Sequence, residues 1–234
     1  MNPLFYPQPV IFPNRLPQDA DTSYQQGIRQ LTQRAMELLR AAALIDGEEP
    51  GLLTPEDRDA ARRRGFAAAR RVLTELPKGR AHVAYFRAFT PGGLTPAAGT
   101  AEALADRAWI LEDRCGLADS YLRAVADAAL QQRAECILCP SPLRRDRLEA
   151  VFLPGGRALF LSERAVAALE LAQTRRVHLD RIPESSRRQA LRAALLEDRK
   201  QTKALLERAS QLLTQAEILR NLATDSCTAD GKRI

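Results

Sequence analysis

Aromatic residues make up only 5% of this 234-residue chain, so it lacks the supply of bulky strand formers that all-β folds draw on. Long apolar runs are missing too. Charges interrupt the sequence well short of the roughly 18–20 residues that a membrane span requires, so none is expected. The opening MNPLFYPQPVIFPNRLPQDA has no basic start, no small-residue cleavage site and several prolines within its apolar part. It does not read as a signal peptide, and a cytoplasmic location is expected. With 12 Gly and 14 Pro, collagen-like and low-complexity chains are excluded. The two histidines, His82 and His178, stand alone. Four cysteines in a cytoplasmic setting are expected as thiols. Cys136 and Cys139 form a CxxC, but the segment Ala134–Cys139 reads as a buried strand, where residues three apart face opposite ways. Without a second ligand pair at metal spacing, no metal site is expected.

What the chain has in quantity is Ala and Leu, together roughly a third of all residues, which predicts a helix-rich protein. Its mass of 25.9 kDa allows one large domain or two small ones. The net charge of +6 comes from interspersed acids and bases, with small arginine clusters at 62–64, 144–145 and 187–188. Charge of this kind supports unspecific nucleic-acid affinity at low salt, and no more than that.

Residues 1–21 are proline-rich and expected to be extended. A helical hairpin is expected over 22–77. Its first helix opens on a capping box, Ser23 with Gln26, and buries Ile28, Leu31, Ala35, Leu38 and Ala42. Its second helix starts at Thr54-Pro55-Glu56-Asp57 and runs to about Leu76. An α/β core is expected over 81–165, with strands at 82–87, 108–112, 134–139, 148–153 and 157–161 in one small, mostly parallel sheet. Pro154-Gly155-Gly156 marks a β-hairpin between the last two strands. A helix from Tyr121 to Gln132 joins the second strand to the third, a βαβ pattern. From 180 to 224, Leu191, Leu195, Thr202, Leu205, Ala209, Leu212, Ala216 and Leu219 recur at helical spacing. They predict one long helix that packs on the hairpin as antiparallel helical arms. Residues 225–234 read as a disordered tail.

Chemistry is concentrated at one junction, WILEDRCGLADSYL (109–122): apolar strand, tight loop, then helix. A phosphate loop has the pattern G-x-x-x-x-G-K-[ST], in which backbone N–H groups and a lysine surround the phosphates. In the corresponding window, Asp113-Arg114-Cys115-Gly116-Leu117-Ala118-Asp119-Ser120, only Ser120 matches a defining residue. Asp113 and Ala118 stand at the glycine positions and Asp119 at the lysine position. Asp119 or Ser120 also serves as a natural cap for the following helix, and Gly116 permits the turn.

Over residues 82–164 the chain resembles an uncharacterised bacterial P-loop ATPase-like, nucleotide-kinase-like family. The resemblance rests on Ala88-Phe89-Thr90-Pro91-Gly92, on the strand and loop Ile110–Ser120, on Cys139 and Pro142, and on the hairpin Leu148–Pro154. It implies a P-loop-like sheet whose phosphate loop is vestigial at Asp113, Arg114, Gly116, Ala118, Asp119 and Ser120. Where the family places a lysine and glycines, two carboxylates here would repel phosphate. No acid stands where Mg²⁺ is held, and Glu163 is the nearest. The resemblance therefore implies a non-catalytic binding or scaffold module with no catalytic residues and no cofactor. Such a module would meet a protein partner, or itself, through the helical arms. The alternatives are an ATP- and Mg²⁺-binding ATPase or kinase-like enzyme using Arg114 with Ser120, and an Arg-rich nucleic-acid-associated protein.

Overall fold

Strands buried along nearly their whole length set the centre of the molecule, and helical stripes set its flanks. The computed structural model describes residues 8–9, 22–46, 51–73, 77–165 and 173–230. In chain order these form α1 (Thr22–Ile45), α2 (Pro55–Arg70), β1 (Ala81–Val83), β2 (Arg87–Thr90), β3 (Gly93–Pro96), α3 (Ala98–Leu104), β4 (Arg107–Glu112), α4 (Ala118–Gln131), β5 (Cys136–Pro140), β6 (Leu148–Leu153), β7 (Ala158–Ser162), β8 (Gln173–His178) and α5 (Ser185–Asp230). The protein is α/β. Among the described residues, six strands make one sheet in the order β1-β5-β6-β7-β4-β8, and β2 with β3 makes a separate two-stranded hairpin. In the large sheet only β6 runs against its neighbours; the pairs β1–β5, β7–β4 and β4–β8 are parallel. The expected turn at Pro154-Gly155-Gly156 is a short 3₁₀ turn, closed by Arg157 in the left-handed region at φ 45°.

The sheet is buried on both faces. On one, Trp109, Leu111, Cys136, Val151, Leu153 and Phe160 pack against α4, with Trp109 stacked on Phe160 at 4.6 Å between ring centres. On the other, Ala108, Ile110, Ile137, Cys139, Phe152 and Leu161 pack with Phe86 and with Ala101 of α3. Cys136 and Cys139 thus belong to different cores. Burial raises both thiols above their ordinary value.

Several expectations need correction. The strand expected over 82–87 splits: Ala81–Val83 joins the sheet, while Arg87 begins the separate hairpin. The sheet also does not end by residue 165, because β8 adds an edge strand beside β4. That strand reads QTRRVH and is almost wholly exposed, so no apolar alternation announces it.

The hairpin over 22–77 does not close. Helix α1 packs along α5, and α2 lies on α4 instead. At that crossing a Cβ added to Gly65 would meet the Tyr121 carbonyl oxygen at 2.4 Å, so the lack of a side chain lets the helices touch. Helix α2 stops at Arg70 rather than Leu76, because the N–H groups of Val72 and Leu73 turn back to the Ala69 carbonyl and send both side chains into the core. Helix α1 begins at Thr22, one residue before the expected cap Ser23. Helix α5 continues to Asp230, through most of the expected tail. The expected extended segment 1–21 lies outside the described residues except 8–9, where the Pro9 carbonyl accepts from the Phe89 N–H.

Along the helical pair, Ala35 and Leu39 of α1 share a core with Phe89 and with Ala209, Leu212 and Leu213 of α5. The Thr90-Pro91-Gly92 turn docks on the same helix. Ser210 and Thr214 donate their hydroxyls to the Pro91 carbonyl at 2.5 and 3.0 Å. Among the described residues, no helix is long and apolar enough to cross a membrane.

Candidate functional site

The parallel strands all point their carboxyl ends to one edge of the sheet, the usual place for ligands in open α/β proteins. The loop after β4 crosses that edge and leads straight into α4. Its conformation is set by Asp113, which is 8% exposed. Asp113 Oδ1 accepts from the N–H groups of Cys115 (3.1 Å) and Gly116 (2.8 Å), and Oδ2 accepts from Ala118 N–H (2.7 Å). Gly116 has φ +92°, a left-handed conformation that favours glycine. The carboxylate therefore sits over the N–H groups that lead into α4 and the first of the helix itself, where an anion is stabilised by the helix dipole.

The other predicted loop residues are dispersed by this arrangement. Ala118 opens α4, and neither Asp119 nor Ser120 caps it; the residue before the helix is Leu117, whose side chain makes no cap bond. The cap comes instead from Asp113, because its carboxylate reaches the amides first. Asp119 turns to Arg123 at 2.8 Å and to the Leu148 N–H at 2.8 Å. Ser120 is half-buried in the first turn of α4. Arg114 is exposed, and its N–H donates to Asp180 Oδ1 at 2.6 Å. Its side chain lines a polar recess of about 430 Å³ with Glu112, Asp180 and Arg192, away from Ser120. Glu163 lines that recess as well.

Asp113 and Asp119 face a larger cleft of about 460 Å³, between the sheet edge, the β2–β3 hairpin and the helices α1 and α5. Leu53, Leu94, Leu143, Leu195 and Leu206 supply apolar lining. Arg87, Arg147, Arg164, Arg199 and Lys203 face it, as do Asp46, Asp113, Asp119, Glu149 and Asp198, so positive and negative side chains are equal in number. Two ion pairs organise its floor: Arg87 with Glu149 at 2.6 Å and Arg164 with Asp46 at 2.9 Å. Burial pushes the Glu149 carboxyl up from its ordinary range, while Arg87 opposes that rise. Burial also lowers the Arg199 guanidinium, and nearby Arg164 acts in the same direction. The Cys115 thiol is pushed up to about 12 by burial, with Asp180 and Asp113 adding to it, so it offers no thiolate nucleophile at neutral pH.

Four buried side-chain atoms among the described residues have no hydrogen-bond partner: Glu149 Oε1, Arg188 Nε, Arg199 Nε and Thr202 Oγ1. All but the Arg188 atom belong to residues lining this cleft. These residues do not stand out as a motif, yet two of them carry a signal. Glu149 is the one charge in the apolar strand LEAVFL, and Thr202 is the one hydroxyl on the apolar stripe of the last helix. Compared with protein-family models, curated proteins and solved structures, the chain matches none.

Proposed function

We propose that this protein is a non-catalytic binding module, an α/β core resembling a P-loop domain whose phosphate site is disabled. The observation that carries the proposal is the Asp113 carboxylate on the N–H groups of Cys115, Gly116 and Ala118. Those amides belong to the loop that the resemblance assigns to phosphate, and they already hold an internal anion. A nucleotide would have to displace it and would meet Asp119 besides. The helical arms supply a contact surface for a partner in this reading, since Leu44, Leu196, Ile218 and Leu222 are half-exposed or more along α1 and α5. No cofactor takes part.

Thermal unfolding with and without ATP and Mg²⁺ tests the proposal. The natural protein is expected to show no ATP-dependent rise in Tm, because only a ligand that binds the folded state raises it. The combined change Asp113→Gly, Ala118→Gly and Asp119→Lys removes two negative charges and adds one positive charge. It is expected to gain weak pyrophosphate binding. A rise in Tm with ATP for the natural protein would favour the ATPase or kinase-like alternative and end this one.

A further inference from the structure

Buried polar atoms are nearly always hydrogen-bonded, so a cluster without partners around one cavity is a sign of something missing. Thr202 is 6% exposed and its hydroxyl is unpartnered. Glu149 is 4% exposed; Arg87 holds one carboxylate oxygen, and the other, Oε1, is unpartnered. Arg199 gives one N–H to the Asp113 carbonyl at 3.2 Å and leaves Nε without an acceptor. All three residues line the cleft of about 460 Å³.

Each group has a definite requirement. Arg199 Nε can only donate, and a ligand carboxylate is its strongest acceptor. The Thr202 hydroxyl can donate to a carboxylate as well. Glu149 Oε1, as a carboxylate oxygen, can only accept, and a ligand ammonium meets that need. The equal numbers of positive and negative side chains around the cleft disfavour a polyanion and suit a ligand with no net charge. Leucines form the apolar lining, so the ligand has an apolar body between its polar ends. A volume of this size falls within the range of small-molecule pockets.

We infer that the cleft binds a small zwitterion with an apolar body, of the amino-acid or short-peptide class. Its carboxylate meets Arg199 and Thr202, and its ammonium meets Glu149. The burial of Glu149 and Arg199 disfavours their own charges, and a bound counter-charge reverses both effects. This assignment rests on the cleft being the binding site of the proposed module; it borders the Asp113 loop, whose carbonyl holds Arg199, but does not require the phosphate loop to be disabled.

Calorimetric titration of the full chain with L-leucyl-L-leucine provides the test. The N-acetylated dipeptide, which lacks the ammonium, and the C-terminal amide, which lacks the carboxylate, are the controls. The free dipeptide is expected to bind, and each blocked form to bind about ten-fold more weakly or not at all. Thr202→Val keeps the shape and removes the unpartnered hydroxyl. Its Tm is expected to stay level or rise while dipeptide affinity falls about five-fold. No heat with the free dipeptide, equal binding of the blocked forms, or an unchanged affinity in Thr202→Val would each overturn the assignment. ATP binding by the natural protein would end the non-catalytic reading of the phosphate loop and leave the dipeptide titration to decide the cleft, so failure of one claim is distinguishable from failure of the other.

Discussion

Replacing Asp113 by alanine removes the one acceptor shared by three loop amides, at 2.7, 2.8 and 3.1 Å. The bonds to Cys115 and Ala118 are buried, while the bond to Gly116 is partly buried and borders the cleft. A buried donor left unsatisfied costs about 1–3 kcal/mol, whereas water entering from the cleft can serve Gly116. Two such donors, partly relieved by relaxation of the loop, give an expected loss of about 3 kcal/mol. In a chain of this length that corresponds to a Tm lower by about 6–12 °C. Asp113→Asn keeps one oxygen acceptor but leaves at least one amide facing its NH2 group, and is expected to lose about 1 kcal/mol, the lower end for one unsatisfied donor. Urea unfolding followed by circular dichroism measures both values. The vacated amides then form an open anion cradle, so pyrophosphate should stabilise Asp113→Ala and leave the natural protein unaffected. An alanine variant within about 0.5 kcal/mol of the natural protein would refute the view that Asp113 organises this loop.

Gly65→Ala is expected to destabilise by about 1–2 kcal/mol, because the new Cβ meets the Tyr121 carbonyl oxygen at 2.4 Å and helix propensity recovers only part of the cost. Equal or greater stability in urea would show that α2 and α4 separate freely. Asp57 is held at the start of α2 by the Thr54 N–H and by Arg187 at 2.5 Å. Its burial pushes the carboxyl up, but the bonds from Arg187 and Thr54 outweigh this and hold it below the ordinary range. A depressed carboxyl stabilises the fold above its unfolded value, about 4, and this contribution is lost as pH falls through the folded value. Asp57→Asn is therefore expected to be about 1 kcal/mol less stable at neutral pH, with the gap closing below about pH 4. A gap that stays constant down to pH 2 would remove Asp57 from the acid response.

The helix start Thr54-Pro55-Glu56-Asp57 is complete within four residues, and α2 opens there as expected, with Thr54 and Asp57 closing a capping box. Strand β6 is found over 148–153, as expected from its apolar run. The turn at Pro154-Gly155-Gly156 joins it to β7 because local φ preferences alone dictate such a turn. Helix α5 follows its stripe of leucines and alanines, although its end extends beyond the stripe.

Elements without a local signal were settled by their partners. Strand β8 is polar and exposed, and it is a strand because β4 offers an unpaired edge. The small residues Ala61, Gly65 and Ala69 on one face of α2 allow burial but specify no neighbour; α4 is that neighbour because Gly65 allows contact with the Tyr121 backbone. The CxxC spacing is visible in the sequence, while the separation of Cys136 and Cys139 into two cores depends on helices covering both sheet faces.

The candidate site divides the same way. Strand, loop and helix over 109–122 were legible, because a short apolar run breaks at Cys115-Gly116 and a helical stripe follows it. Which side chain caps the helix was not, since Asp113, Asp119 and Ser120 all offer an acceptor oxygen and the left-handed turn at Gly116 brings Asp113 onto the amides. The cleft is wholly tertiary. Glu149, Arg199 and Thr202 come from one strand and a helix that is separate in sequence, and they converge only when α5 crosses the edge of the sheet. Hydrophobic patterning determined what each segment buries; long-range packing, which a local pattern does not encode, decided what it is buried against.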